Sequence, residues 1–277
     1  MRTLIFCGNF LFPMLLCLEV YAQSNTFSIS PGIRFFDYAE YGDDGSFLDG
    51  EKGPVPGIGG VIEHRTSNNA VLSVFGDIFL GKVNYDGHLQ SGLPLSAETD
   101  QLFYSVGVGV QTPGMLINKP LFDKRIAGFT NIIYQVWERE ILPTQISSRL
   151  FEIYSWWELS IGGKYFVFEK DDQNLVLFGR AFYIINPTMQ IDLASSGYGK
   201  PVLDLGEKTG GEVGFEWLTL SSPNHWLGLT GAYKFWGFGR SDDQVVFRND
   251  NTTSIVIHEP RSETNNFNLQ AVIKINF

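Results

Sequence analysis

The sequence predicts an all-β protein, a transmembrane antiparallel up-and-down β-barrel of about ten strands, with eight or twelve strands as the alternatives. Three observations lead to this fold class. Apolar and polar residues alternate through ten segments, and the connections between these segments are alternately long and short. Beyond the first 22 residues, no apolar stretch approaches the roughly 20 residues that a transmembrane helix needs.

Composition excludes several classes of protein. The 277 residues are 44% hydrophobic, 14% aromatic and 18% charged, with 30 glycines and a net charge of −10. Such an aromatic content excludes a disordered chain, and the glycines lack the three-residue period of collagen. The acidic balance argues against a nucleic-acid partner, which would need clustered lysines and arginines.

The first 22 residues have the features of a secretory signal peptide. Arg2 precedes an apolar run over 4–18, and a small residue at Ala22 suits cleavage. We expect 23–277 to form a single barrel domain after cleavage near Ala22. Cleavage would remove both Cys7 and Cys17, and with them any disulfide or thiolate site. No phosphate-binding glycine loop, zinc spacing or dinucleotide fingerprint occurs, so we predict neither cofactor nor metal.

The last segment, 266–277, alternates most regularly and matches the 9–11 tilted residues that cross a bilayer. The predicted connections are long at 40–56, 83–100, 139–150, 187–209 and 239–263. The other connections are mostly tight, with 113–124 the longest of them, as in barrels with short periplasmic turns and longer extracellular loops. The other nine segments lie near 27–39, 57–66, 70–82, 101–112, 125–138, 151–168, 175–186, 210–220 and 226–238.

A soluble β-sandwich or soluble barrel would show the same alternation. Long strands and an apolar face rich in aromatic residues favour the membrane barrel. All six tryptophans fall within predicted strands, several near strand ends, where interfacial girdles lie.

The last strand also carries a family resemblance. It resembles the assembly signal of Gram-negative outer-membrane β-barrel proteins, with alternating apolar residues Leu269, Ala271, Ile273, Ile275 and Phe277. The resemblance implies location in the outer membrane, insertion by the barrel assembly machinery, and contact with outer-membrane lipid and lipopolysaccharide. It implies no particular activity, and the oligomeric state stays open.

The predicted inward faces carry six acids and five bases. Buried charges are tolerated when they are paired and hydrogen-bonded, so this near-balance suggests an ion-pair network that plugs the lumen. A narrow porin-like channel for small solutes, lined by the same residues, is the alternative. The residues are Arg34, Glu63, Arg65, Asp77, Glu152, Glu158, Arg180, Glu212, Glu216, Lys234 and Lys274.

A barrel-borne hydrolase is a third hypothesis. The chain resembles omptin proteases in size and strand number, and 157–165 is loosely similar to an omptin strand. That resemblance implies an acidic pair on one rim and an Asp–His pair on the other. Asp86 and His88 are the weak catalytic candidates, whereas 187–209 offers Asp192 and Asp204 without a histidine. The sequence therefore favours a structural, surface-exposed or ligand-interacting role over an enzyme.

A lone histidine and an acidic loop do not suggest a catalytic or metal site. His64 stands alone near a strand end, without the serine that a lipase-like barrel would place beside it. The first predicted loop is acidic, with Asp43, Asp44, Asp49 and Glu51. We expect these carboxylates to be solvated, because their spacing is not that of a dedicated calcium loop.

Overall fold

The computed structural model describes residues 24–88, 92–113, 125–250 and 252–277, so the predicted signal segment 1–22 lies outside the described residues. None of the described residues belongs to a helix that is long and apolar enough to cross a membrane. The strands are β1 Ser24–Tyr41, β2 Phe47–Arg65, β3 Val71–His88, β4 Pro94–Pro113, β5 Ile126–Ile141, β6 Leu150–Glu169, β7 Gln173–Ile191, β8 Val202–Asp204, β9 Thr209–Ser222, β10 His225–Trp236, β11 Gln244–Phe247, β12 Ser254–Ile257 and β13 Arg261–Asn276.

Ten of these strands form a closed antiparallel barrel, as predicted. Strands β1 to β7, β9, β10 and β13 pair in chain order, and β13 returns to pair with β1. The closing register sets Phe27 opposite Ile275 and Tyr41 opposite Arg261. Closure leaves no unpaired edge in the wall, which a sheet in lipid requires.

An apolar band surrounds the half of the barrel nearest the short turns. Its outward side chains are exposed on every strand, and Ile161 has an exposed fraction of 72%. An exposed apolar outer face with a polar interior is the arrangement of a transmembrane barrel. The band includes Ile33, Phe35, Leu72, Val74, Ile78, Tyr104, Val106, Val108, Ile132, Trp157, Leu159, Leu177, Val213, Leu229, Leu269 and Ile273.

Beyond this band the strands continue, and their outward side chains become charged. Lys52 Nζ lies 3.1 Å from Asp37 Oδ2 on the outer wall, and Lys82 Nζ lies 3.0 Å from Asp100 Oδ1. The expected long loops 40–56 and 83–100 are therefore mostly strand, because backbone pairing persists where the outer face turns polar. Only 42–46 lie between the end of β1 and the start of β2.

Two genuine long connections fold into the long-loop mouth of the barrel. Strand β8 pairs with β7, and Gly206 forms a bridge with Gly239 from the connection after β10. Leu203, Leu205 and Phe238 are buried there. We call the segments 202–206 and 237–241, together with Glu259, the cap; β11 and β12 form a separate hairpin beyond it.

Candidate functional site

The lumen has two halves. The half at the short turns contains a cavity of about 490 Å³ lined by charged and aromatic side chains. Nine of the eleven predicted lumen residues line it: Arg34, Glu63, Arg65, Asp77, Arg180, Glu212, Glu216, Lys234 and Lys274. Glu152 and Glu158 also point inward and are buried.

Glu158 on β6 is the centre of one ion-pair group and is completely buried. Its carboxylate accepts hydrogen bonds from Arg180 and Lys234, each at 2.7 Å, and from Gln135 at 2.5 Å. Arg180 also donates to Glu212 at 2.7 Å. Charged side chains of opposite sign, carried by four neighbouring strands, therefore pair with one another on the lumen face of the wall.

Two other ion pairs form among the predicted lumen residues. Lys274 Nζ donates to Glu63 at 2.9 Å, and Arg34 Nη2 lies 3.8 Å from Asp77 Oδ1. Arg65 and Glu216 line the same cavity, but within the described part of the chain neither lies within 4 Å of an opposite charge. The cavity extends toward the short-turn end of the barrel, where polar side chains line it.

An aromatic layer spans the lumen above the cavity. Phe36 on β1 meets Trp137 on the facing strand β5 with ring centroids 5.6 Å apart. Trp137 contacts Trp236 on β10 at 6.0 Å, and Trp236 stacks on Trp156 at 4.9 Å. Rings from opposite strands thus meet across the lumen, and Phe238 of the cap packs on them.

The tryptophans divide differently from the predicted girdle. Trp137, Trp156 and Trp236 are buried in the lumen, whereas Trp157 and Trp217 lie on the outer wall. The girdle interpretation was wrong for the first three, because each has the inward parity of its strand. Trp137, for example, shares its parity with Asn131 and Gln135, which line the cavity.

A second charged group lies beyond the aromatic layer, and its centre is the buried guanidinium of Arg139. This group faces the lumen at the level where the outer wall is charged, outside the apolar band. Arg139 Nη1 donates to Glu40 at 2.9 Å and to Glu152 at 3.0 Å, and Nε donates to Glu51 at 2.9 Å. Asp49 Oδ1 lies 3.6 Å from Nη2.

Neutral donors complete this group, which we call the Arg139 cluster: Arg139 with the carboxyls of Glu40, Asp49, Glu51, Glu152 and Glu259. Glu51, expected in a solvated loop, is fully buried, and Asp49 is mostly buried. The correction follows from the continuation of β2 through both positions. The donors are Tyr38 to Glu40 at 2.7 Å, Thr99 and Gln101 to Glu51 at 2.8 and 2.6 Å, and Tyr154 to Glu259 at 2.7 Å.

The cluster has five carboxyl groups and, among the described residues, a single cation within 4 Å of them. Burial raises the pKa of Asp49 to about 8, and the nearby Glu40 carboxyl contributes. Burial also raises the pKa of Glu259 well above its usual range, with Glu40 and Glu152 adding to the effect. Across the described residues, no group of three or more His, Cys, Asp or Glu has the arrangement of a metal site.

The weak catalytic candidates lie outside the lumen. Asp86 and His88 occupy alternate, exposed positions at the end of β3. His88 Nδ1 lies 3.3 Å from the Leu48 carbonyl oxygen. A different Asp–His pair forms on the rim, where His258 Nδ1 lies 3.3 Å from Asp243 Oδ1. Arg240 contacts the same Asp243 oxygen at 2.5 Å, so this carboxylate is already paired.

The predicted assembly-signal residues lie along one face of the barrel. Leu269, Ala271 and Ile273 point outward from β13 and are exposed, and Phe277 follows the strand at its end. Their role in assembly stays a prediction.

Comparison with known proteins yields no matching family model and no matching curated protein. Solved structures do match. The outer membrane protease OmpT from Escherichia coli aligns with a TM-score of 0.52 and 15% sequence identity, over 92% of this chain and 97% of that one. The chain shares the barrel fold of OmpT. The outer membrane protein OprG from Pseudomonas aeruginosa aligns with a TM-score of 0.37 and 8% identity, over 93% of this chain and 97% of OprG.

Proposed function

We propose that this protein is an outer-membrane β-barrel whose lumen is closed to solutes, and whose capped long-loop half forms a surface for contacts outside the cell. The aromatic layer carries the proposal. Rings from opposite strands meet at centroid distances of 5 to 6 Å, too close for a hydrated solute to pass between them.

The location in the outer membrane is supported by the outer wall. Its apolar band is exposed on every wall strand, and charged side chains follow directly above it. The wall would contact outer-membrane lipid, and the charged zone would lie at the level of lipopolysaccharide headgroups. Insertion would use the barrel assembly machinery through the alternating last strand.

The charged residues of the lumen fit a structural role better than a conducting one. Glu158, Arg180, Glu212 and Lys234 satisfy one another at hydrogen-bond distance, so they stabilise the wall rather than offer free sites for a passing ion. The cavity below the aromatic layer would be an aqueous chamber open toward the periplasm, in the usual orientation of such barrels.

Conductance across a planar lipid bilayer tests the proposal. The purified wild-type barrel should insert, with heat-modifiable migration on gels, and produce no single-channel steps. Replacing two lumen rings, Trp137→Ala with Trp236→Ala, should create a water-filled gap and produce steps. The matched control replaces the outward pair, Trp157→Ala with Trp217→Ala, and should stay silent.

Well-resolved steps from the wild type would refute the closed lumen and support the narrow channel. A protein that fractionates with the soluble periplasm, and fails to insert into vesicles, would refute the outer-membrane location. The two readouts are independent, so either half of the proposal can fail alone.

A further inference from the structure

Glu259 is the point at which the cap meets the Arg139 cluster. Its carboxyl accepts a hydrogen bond from the Tyr154 hydroxyl at 2.7 Å, and its backbone N–H donates to Ser241 Oγ at 2.8 Å. Ser241 belongs to the same cap, and both residues are buried. The cap is therefore held to the barrel wall through a carboxyl group rather than by apolar contacts alone.

Charge balance makes this attachment unusual. Four buried or mostly buried carboxyl groups lie within 4 Å of one guanidinium, and Glu259 joins them through the Tyr154 hydroxyl, so ionising all five would leave four negative charges unpaired. A buried charge without a partner loses its hydration and gains nothing in return, so the closed structure must retain protons on part of the set. The titratable and charged groups that face Glu259 across the cluster are Tyr38, Glu40, Asp49, Glu51, Tyr85, Arg139, Glu152 and Tyr154.

We propose that the cap is a pH-responsive latch, shut while the carboxyls of the Arg139 cluster share protons and loosened when they ionise. The latch does not depend on whether the barrel conducts or on which membrane contains it. Its ligand is the proton, and its moving part is the segment that carries Phe238, Ser241 and Glu259. Opening would expose a polyanionic surface with the aromatic layer beneath it.

The direction of the pH effect follows from linkage. In the open or unfolded chain the carboxyls of Asp49, Glu152 and Glu259 lose their protons near pH 4, whereas burial in the closed cluster raises the pKa of each, so they hold their protons to higher pH. The closed form is thus fully favoured below about pH 4 and becomes less favoured as pH rises toward about 8. Each proton retained only by the closed form changes the closing equilibrium about tenfold per pH unit.

The test measures the unfolding equilibrium constant in detergent micelles between pH 5 and 8, for three proteins. Wild-type stability should fall as pH rises. Glu259→Gln keeps the acceptor for Tyr154 and removes one titrating group, so the slope of log K against pH should decrease by about one. The matched control Glu263→Gln changes an exposed outward carboxyl two residues into β13 and should leave the slope unchanged.

Arg139→Gln is a second variant, and it should change the pH slope of stability in the direction opposite to Glu259→Gln. Removing the Arg139 guanidinium makes ionisation of the cluster more costly, so stability should fall more steeply with pH than in the wild type. Limited proteolysis gives a readout specific to the cap. In the wild type, cleavage within 237–260 should be faster at pH 8 than at pH 6, and this increase should be smaller in Glu259→Gln. The mobility of the unheated protein on gels should still report a closed barrel at both pH values.

Three results would overturn the latch. A flat pH dependence in the wild type would show that the cluster holds no shared protons. Equal slopes for Glu259→Gln and Glu263→Gln, with only a uniform offset, would reduce Glu259 to a packing residue. Stabilisation by calcium that abolishes the pH dependence would show that a cation, rather than protons, neutralises the carboxyls.

Discussion

Substituting Glu158 by Gln should destabilise the barrel strongly, because this completely buried carboxylate holds two cations. Arg180 keeps a second partner, Glu212, at 2.7 Å. Among the described residues, Lys234 has no other carboxylate within 4 Å, so it bears most of the loss. A hydrogen bond to a charged group contributes about 1.5–3 kcal/mol, and breaking a buried pair costs about 3–5 kcal/mol.

We therefore expect Glu158→Gln to lower the free energy of unfolding by about 3–5 kcal/mol. The assay is urea unfolding in detergent micelles, followed by the fluorescence of the lumen tryptophans. Glu169→Gln, at the exposed end of the same strand, is the control and should stay within about 0.5 kcal/mol of the wild type.

Coupling between Glu158 and Lys234 gives the sharper result. If the unpaired Lys234 ammonium causes the loss, adding Lys234→Met should restore at least about 2 kcal/mol relative to Glu158→Gln alone. The reasoning would be refuted if Glu158→Gln and Lys234→Met lowered the free energy of unfolding additively. It would also be refuted if Glu158→Gln were as stable as the Glu169→Gln control.

Two further predictions concern the cap. Phe238→Ala should cost about 3–5 kcal/mol, because the ring is fully buried, whereas Phe247→Ala on the exposed hairpin should cost little; thermal unfolding compares them. Gly239→Ala should separate the cap segments, because the new Cβ would lie 2.8 Å from the Cα of Gly206; faster proteolysis of 237–260 should report this. Gly128→Ala, with open space around it, is the control, and equal cleavage of the two variants would contradict the prediction.

The ten wall strands could be predicted because one physical rule covers them. Within the apolar band, outward residues meet an apolar surrounding and inward residues line a polar cavity, so alternation identifies both the strand and its faces. On β5, Asn131 and Gln135 line the cavity, so these two polar residues identify the inward face of the strand.

The same rule fails above the band, because there the outward residues are charged and the inward residues include apolar rings. Glu138 and Glu140 point outward there, while Trp137 points into the lumen. A stretch with charges outside and rings inside resembles a loop if one searches for an apolar outer face. Residues an even number of positions apart on a strand face the same side, so the inward position of Asn131 implies that Arg139 also faces the lumen.

The cap had no such signal in the sequence. Its decisive contacts join residues that are far apart, such as Tyr154 and Glu259, which are separated by 105 positions. Segment 202–206 alternates in burial, with Leu203 and Leu205 inside, but it is too short for the sequence to show a period of two, and segment 237–241 has no such alternation. Only tertiary pairing, such as the bridge between Gly206 and Gly239, brings these residues together.

The continuation of the wall beyond the apolar band also affects how other molecules would meet this protein. Segments 47–56 and 83–88, which a hydropathy profile treats as loops, are pleated strand: the first pairs with β1, the second pairs with β4, and 50–52 pairs with 84–86 between them. An antibody raised against a synthetic peptide of either stretch would meet a sequence whose alternate side chains face the interior. Epitopes on the folded wall are therefore expected to be discontinuous, with neighbouring strands each contributing every second residue.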